Sequence, residues 1–151
     1  MKKQAIKISS IFLITALFVG ICASAKSSTF GGNLKKRVLD GSANGIYYNI
    51  GKNKRVSISG RVTKTGYNKK DAEINRYGER YSTQYTYINL YEGKASGKGN
   101  KICGDKVKVS DGSKPFSAAG KTTSKKSKYI YVYKPVNDGY DLYISGNMIY
   151  E

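Results

Sequence analysis

Lys128-Tyr129-Ile130-Tyr131-Val132-Tyr133 alternates residue by residue, and the chain runs on through Lys134-Pro135-Val136-Asn137-Asp138-Gly139 into Tyr140-Asp141-Leu142-Tyr143-Ile144-Ser145. Successive side chains of a strand point to opposite faces, so Ile130 and Val132 share one face while Tyr129, Tyr131 and Tyr133 share the other. A period of two built from β-branched and aromatic residues belongs to a strand rather than a helix. Asn137-Asp138-Gly139 tolerates the positive φ values of tight turns. The spacing therefore predicts a hairpin joining residues 129–136 to 140–145, with Tyr143 opposing Leu142 and Ile144.

The same pattern recurs outward from this stretch. Candidate strands fall at residues 37–39, 46–50, 55–62, 81–91, 101–109, 128–133 and 140–145, with a last piece at 147–150. Gly, Asn, Asp and Ser separate them at 41–45, 51–53, 93–100 and 111–113. In 81–91, Tyr85, Tyr87, Asn89 and Tyr91 fall on one side and Thr86, Ile88 and Leu90 on the other. No stretch sustains a period of 3.6. Residues 69–80 hold the one weak helical leaning, at Asp71, Ala72, Glu73 and Ile74, and Gly78 works against it. Residues 114–128, with Pro115, Gly120 and many Ser, Thr and Lys residues, read as a mobile basic loop. The expectation is an all-β chain, an antiparallel β-sandwich or small barrel of about seven to eight short strands.

The beginning of the chain has a different character. Lys2, Lys3 and Lys7 precede an apolar run from Ile8 to Cys22, and Ala23-Ser24-Ala25 supplies the small residues of a cleavage site. This is the layout of a secretory signal peptide over residues 1–25. The run is shorter and more polar than a membrane span of about 20 apolar residues requires, so no transmembrane segment is expected in the mature protein. Residues 26–36, rich in Ser, Gly and Lys, read as a flexible basic leader, and 37–151 as a single all-β domain.

Removing three lysines with that segment lowers the formal charge from +17 to +14, set by 24 Lys and Arg against 10 Asp and Glu. Such a field draws polyanions and speeds their association. Leu, Ile, Val and Phe make up only 22 of the 126 residues after Ala25, a level that borders on disorder at high charge. All 14 tyrosines lie in that part, and each buries a large ring while its hydroxyl stays wet. Tyrosine thus takes the place of missing aliphatics. Cys103 is left without an internal partner, and its flanks Ile102 and Gly104 favour an inert buried thiol.

The chain has no histidine, which removes the commonest general base and metal ligand. The acids Glu73, Glu79, Glu92, Asp105 and Asp141 sit in no catalytic motif. Neither enzymatic activity nor a cofactor or metal is expected. With the aliphatic sides in the core, tyrosines gather among lysines on an outer face, where rings stack on sugars and ammonium groups hold phosphates or carboxylates. The candidate ligand-binding residues are Tyr85, Tyr87, Tyr91, Tyr129, Tyr131, Tyr133, Tyr143 and Lys128. The expected partner is an anionic envelope polymer, such as teichoic acid or an acidic glycan, bound non-covalently outside the cell. Export disfavours nucleic acid. The competing structural reading has the tyrosines pair across strands, each pair adding roughly 0.2–1 kcal/mol to the sheet. The competing functional reading is a secreted, bacteriocin-like antibacterial protein or toxin.

Overall fold

The computed structural model describes residues 25–151, so all but the last residue of the segment read as a signal peptide lies outside the described residues. Eight strands follow one another: β1 (Lys26–Leu34), β2 (Val38–Asp40), β3 (Arg55–Tyr67), β4 (Tyr85–Glu92), β5 (Asn100–Lys108), β6 (Ser113–Lys121), β7 (Lys128–Tyr133) and β8 (Tyr140–Tyr150). They form two four-stranded antiparallel sheets, ordered β1-β8-β3-β6 and β2-β7-β4-β5. The molecule is a β-sandwich, as the alternation predicts. Among the described residues no helix is long and apolar enough to cross a membrane.

The inner faces carry the aliphatic half of each strand. Ile58 and Val62 of β3, Ile88 and Leu90 of β4, Ile130 and Val132 of β7, and Leu142, Ile144 and Met148 of β8 form one buried cluster. Phe30 and Phe116 lean over two inward glycines, Gly60 and Gly146, which are cross-strand partners. A methyl group at Gly60 would stand 2.1 Å from the Ser145 carbonyl oxygen, so the sheet backbone and the Phe116 ring occupy that space. Along one side the sheets meet edge to edge, where the Ser117 amide of β6 donates to Asp105 Oδ2 of β5 at 2.9 Å.

Several expectations are corrected. Residues 26–34 are not a flexible leader but strand β1, paired residue by residue with β8 from Lys26–Tyr150 to Leu34–Leu142. Their small residues serve close packing: a Cβ on Gly31 would approach the Ile144 carbonyl oxygen to 2.7 Å, and one on Gly32 would touch the Leu39 side chain. The first half of the basic loop is strand β6, anchored by Phe116 in the core, with Pro115 on a sheet edge, where its missing N–H is tolerated. Residues 46–50 form no strand and contribute a single bridge, Tyr48 to Lys128. Residues 69–80 form turns and one bridge, Ile74 to Arg80, and no helix.

The hairpin centred on Asn137-Asp138-Gly139 does not exist, because β7 and β8 belong to different sheets. The segment is instead a buried corner where the chain crosses the sandwich. Lys134 and Asp138 are almost wholly buried, with Lys134 Nζ 2.5 Å from Asp138 Oδ1 and donating to the Tyr140 carbonyl at 2.8 Å. Asp138 Oδ2 also accepts the Gln84 amide at 2.6 Å, which ties the corner to the approach of β4. Gly139 does take the positive φ its sequence promised, +80°, in the service of a crossover rather than a return.

Candidate functional site

Antiparallel register builds the outer face of the second sheet. Tyr87 lies opposite Tyr133, and Tyr91 opposite Tyr129, while β5 places Lys108, Lys106 and Lys101 opposite Tyr85, Tyr87 and Tyr91. Alternation sends all of these outward. The Tyr87 and Tyr133 rings stack with centroids 4.9 Å apart and planes 10° from parallel. Tyr131 meets the Tyr133 ring at 5.8 Å and the Tyr91 ring edge-on at 6.0 Å. Tyr87, Tyr91, Tyr131 and Tyr133 are half-buried, whereas Tyr85 is 45% exposed at the end of the row. Asn89 lies flat over Gly104 between them, in a space that any Cβ on Gly104 would take.

At its Tyr85 end this face is cationic. Lys106 Nζ sits 5.0 Å from the centroid of the Tyr85 ring and Lys108 Nζ 5.9 Å from it, so two cations gather on one aromatic ring. Burial, followed by the neighbouring phenols of Tyr133, Tyr129 and Tyr131, raises the Tyr91 hydroxyl above its ordinary value. Burial and the Asp40 carboxylate do the same for Tyr131, against the lowering influence of Arg37. These phenols are neutral hydrogen-bond donors at neutral pH.

Six of the eight residues expected from sequence come together here: Tyr85, Tyr87, Tyr91, Tyr129, Tyr131 and Tyr133. Tyr129 differs from its neighbours in being 0% exposed. The β4–β5 loop folds over it: its hydroxyl donates to the Lys94 carbonyl and accepts the Gly97 amide at 3.0 Å. Ser96 N donates to Ser42 Oγ, closing the cover from the other side. Tyr129 therefore supports the face and presents no surface for a ligand.

Tyr143 and Lys128 do not join the group. Tyr143 stands on the outer face of the other sheet, beside Gly31, and lines a cleft of about 700 Å³ between β1 and the 41–48 segment, whose walls include Phe30, Leu39, Ile46 and Tyr48. Lys128 points inward, on the Ile130 and Val132 side of β7, and its side chain is 0% exposed against Glu92 at 3.7 Å. Its ammonium donates to the carbonyls of Ile50, Lys126 and Ser124 at 2.6, 2.6 and 2.9 Å. Burial pulls that ammonium below its ordinary value, and the Glu92 carboxylate opposes the pull. Lysines that sequence reasoning overlooked, Lys106 and Lys108, stand in its place. The signal for them was the alternation of Lys106 and Lys108 with Val107 and Val109, which only the hairpin register connects to Tyr85 and Tyr87.

Cys103 behaves as a buried hydrophobe on the inner side of β5, and burial pushes its thiol up to about 11 despite the Lys101 charge. Only the thiolate reacts with disulfide reagents. Labelling of the folded protein at pH 8 is expected to be slower than that of a free cysteine by about a hundredfold or more, and complete once urea unfolds it. Rapid labelling of the native state would show that the β4–β5 edge opens freely. The chain matches no protein-family model and no curated protein.

Proposed function

We propose that this protein is an exported binding module that holds an anionic envelope polymer, teichoic acid or an acidic glycan, non-covalently against the outer face of β4, β5 and β7. The observation that supports this reading most directly is the partly exposed Tyr87–Tyr133 stack beside Lys106 and Lys108, neither of which has a carboxylate within ion-pair distance among the described residues. Rings and phenol hydroxyls suit the sugar or polyol units of such a polymer. The ammonium groups suit its charges, and the surplus of Lys and Arg over Asp and Glu in the whole chain adds long-range attraction. No bond is made or broken in this activity.

The test is retention of the mature protein on isolated cell walls, before and after teichoic acid extraction, across a salt series. Retention should fall with extraction and with salt, since screening shortens the reach of exposed charges from about 10 Å at 0.1 M to about 3 Å at 1 M. Retention indifferent to both would refute the reading. Clearing of a lawn of sensitive cells would instead favour an antibacterial protein.

A further inference from the structure

The buried pair of Glu92 and Lys128 also positions a second group of charges. Glu92 ends β4 and Lys128 opens β7 as its cross-strand partner. The Glu92 carboxylate accepts from Thr123 N, Thr123 Oγ1 and Ser124 N, while Lys128 Nζ holds the carbonyls of Ser124 and Lys126. The pair thereby fixes the segment before β7 against the start of the β4–β5 loop. Gly93, at φ +94°, completes the junction: a Cβ there would stand 3.3 Å from Lys126 Cδ, so the lysine stem lies across the glycine.

A polar pocket of about 220 Å³ opens between these two segments, lined by Lys94, Lys98 and Lys126 together with Asn100 and Ser124. The three lysines have no carboxylate within ion-pair distance among the described residues. The one acid in the lining, Glu92, has a side chain 1% exposed and already engaged by Thr123, Ser124 and Lys128. Three lysines and no free carboxylate line this one small pocket, a charge balance that favours an anion. Glu92 and Lys128 hold the segments that bear them in place.

We propose that this pocket is a phosphate subsite that takes a phosphodiester group of the bound polymer, an inference that rests on the polymer-binding reading above. Lysine binds phosphate as a point charge, whereas planar carboxylates are matched best by the arginine fork, and no arginine lines the pocket. A uronate carries its carboxylate on a ring, while a phosphodiester joined by slender acyclic units enters a small polar space. The subsite lies at the Tyr91 end of the tyrosine row, and Lys106 and Lys108 lie at the Tyr85 end. From Tyr85 to Glu92 the strand covers about 23 Å, so one ligand touching both ends must contain several repeat units.

The test compares two polymers of matched charge concentration, poly(glycerol phosphate) and polygalacturonate, titrated calorimetrically into the mature protein. The phosphodiester polymer should bind at least about tenfold more tightly, and the triple variant K94Q/K98Q/K126Q should bring the two within about threefold. All three lysines are exposed, so the thermal midpoint of the variant should match that of the parent. As an independent probe, inorganic phosphate should shift the Ser124 and Gly99 amide resonances of the parent and not of the variant. Equal binding of the two polymers by the parent, or a preference that survives in the variant, would overturn the subsite while leaving the tyrosine face standing. Binding of neither polymer would overturn both.

Discussion

Replacing Lys128 with alanine should lower the stability of the domain by about 3–5 kcal/mol, because it leaves the Glu92 carboxylate buried without its cation. For a domain of this size that corresponds to a fall of about 10–20 °C in Tm. Lys128 carries such weight because its three N–H donors all go to carbonyls, those of Ile50, Ser124 and Lys126, while its charge pairs with the Glu92 carboxylate at 3.7 Å, and its loss removes all of these interactions together. Urea denaturation at pH 7 measures the loss; a variant within about 1 kcal/mol of the parent would show that water or a neighbouring group replaces the ammonium. Acid adds a second readout. Burial raises the Glu92 carboxyl, but the hydrogen bonds from Thr123 and Ser124 outweigh it and hold the group below its ordinary value of 4.5. A carboxyl depressed in the folded state contributes stability above its unfolded pKa, and that contribution disappears as pH falls through the folded pKa. The stability gap between the parent and Glu92→Gln should therefore be widest near pH 6 to 7 and shrink steadily as pH falls below about 4. A gap independent of pH would mean that folding leaves the Glu92 pKa where it is in the unfolded chain, and a gap that shrinks as pH rises would mean that Glu92 is neutral in the folded protein.

The position of Lys128 also illustrates what could be read from residues alone. Period-two alternation gave β7 its bounds and sorted its tyrosines from its aliphatics, and by the same rule it placed Lys128 inward with Ile130 and Val132. The charge invited an outward assignment because an ammonium is costly to bury unless acceptors surround it. Two of those acceptors, the carbonyls of Ser124 and Lys126, are near in sequence, but the Ile50 carbonyl and the Glu92 counter-charge come from distant segments that nothing local to Lys128 announces. The same limit explains β1 and β6. Their Ser, Gly and Ala residues look like linker, and they become strands because long-range partners, β8 and β3, offer hydrogen bonds and space for small side chains. Turn chemistry was correct at Gly139, yet a turn residue specifies a local backbone conformation and not the sheet to which the next strand belongs.

The tyrosines divide into support and surface, and paired substitutions separate the two roles. Tyr129→Ser should destabilise the fold by about 3–5 kcal/mol, since it removes a fully buried ring and leaves a cavity. It also strips the β4–β5 loop of the hydroxyl that engages Lys94 and Gly97, so hydrogen exchange at the Gly97 amide should accelerate sharply. Tyr87→Ser with Tyr133→Ser removes two half-buried rings that stack mainly on each other. The structural cost of that double change should stay near 1–2 kcal/mol, set by the lost cross-strand pair. Its effect on wall retention should be far greater, a loss of at least about tenfold, with the salt dependence preserved because every lysine remains. The contrast decides between a sheet merely stabilised by tyrosine and a face that recognises a polymer. If the Tyr87/Tyr133 variant folds and is retained as well as the parent, the rings serve the sheet alone and recognition falls to the lysines. If it unfolds as readily as Tyr129→Ser, the outer row is as structural as Tyr129 itself, and a ligand platform must be sought elsewhere on the sandwich.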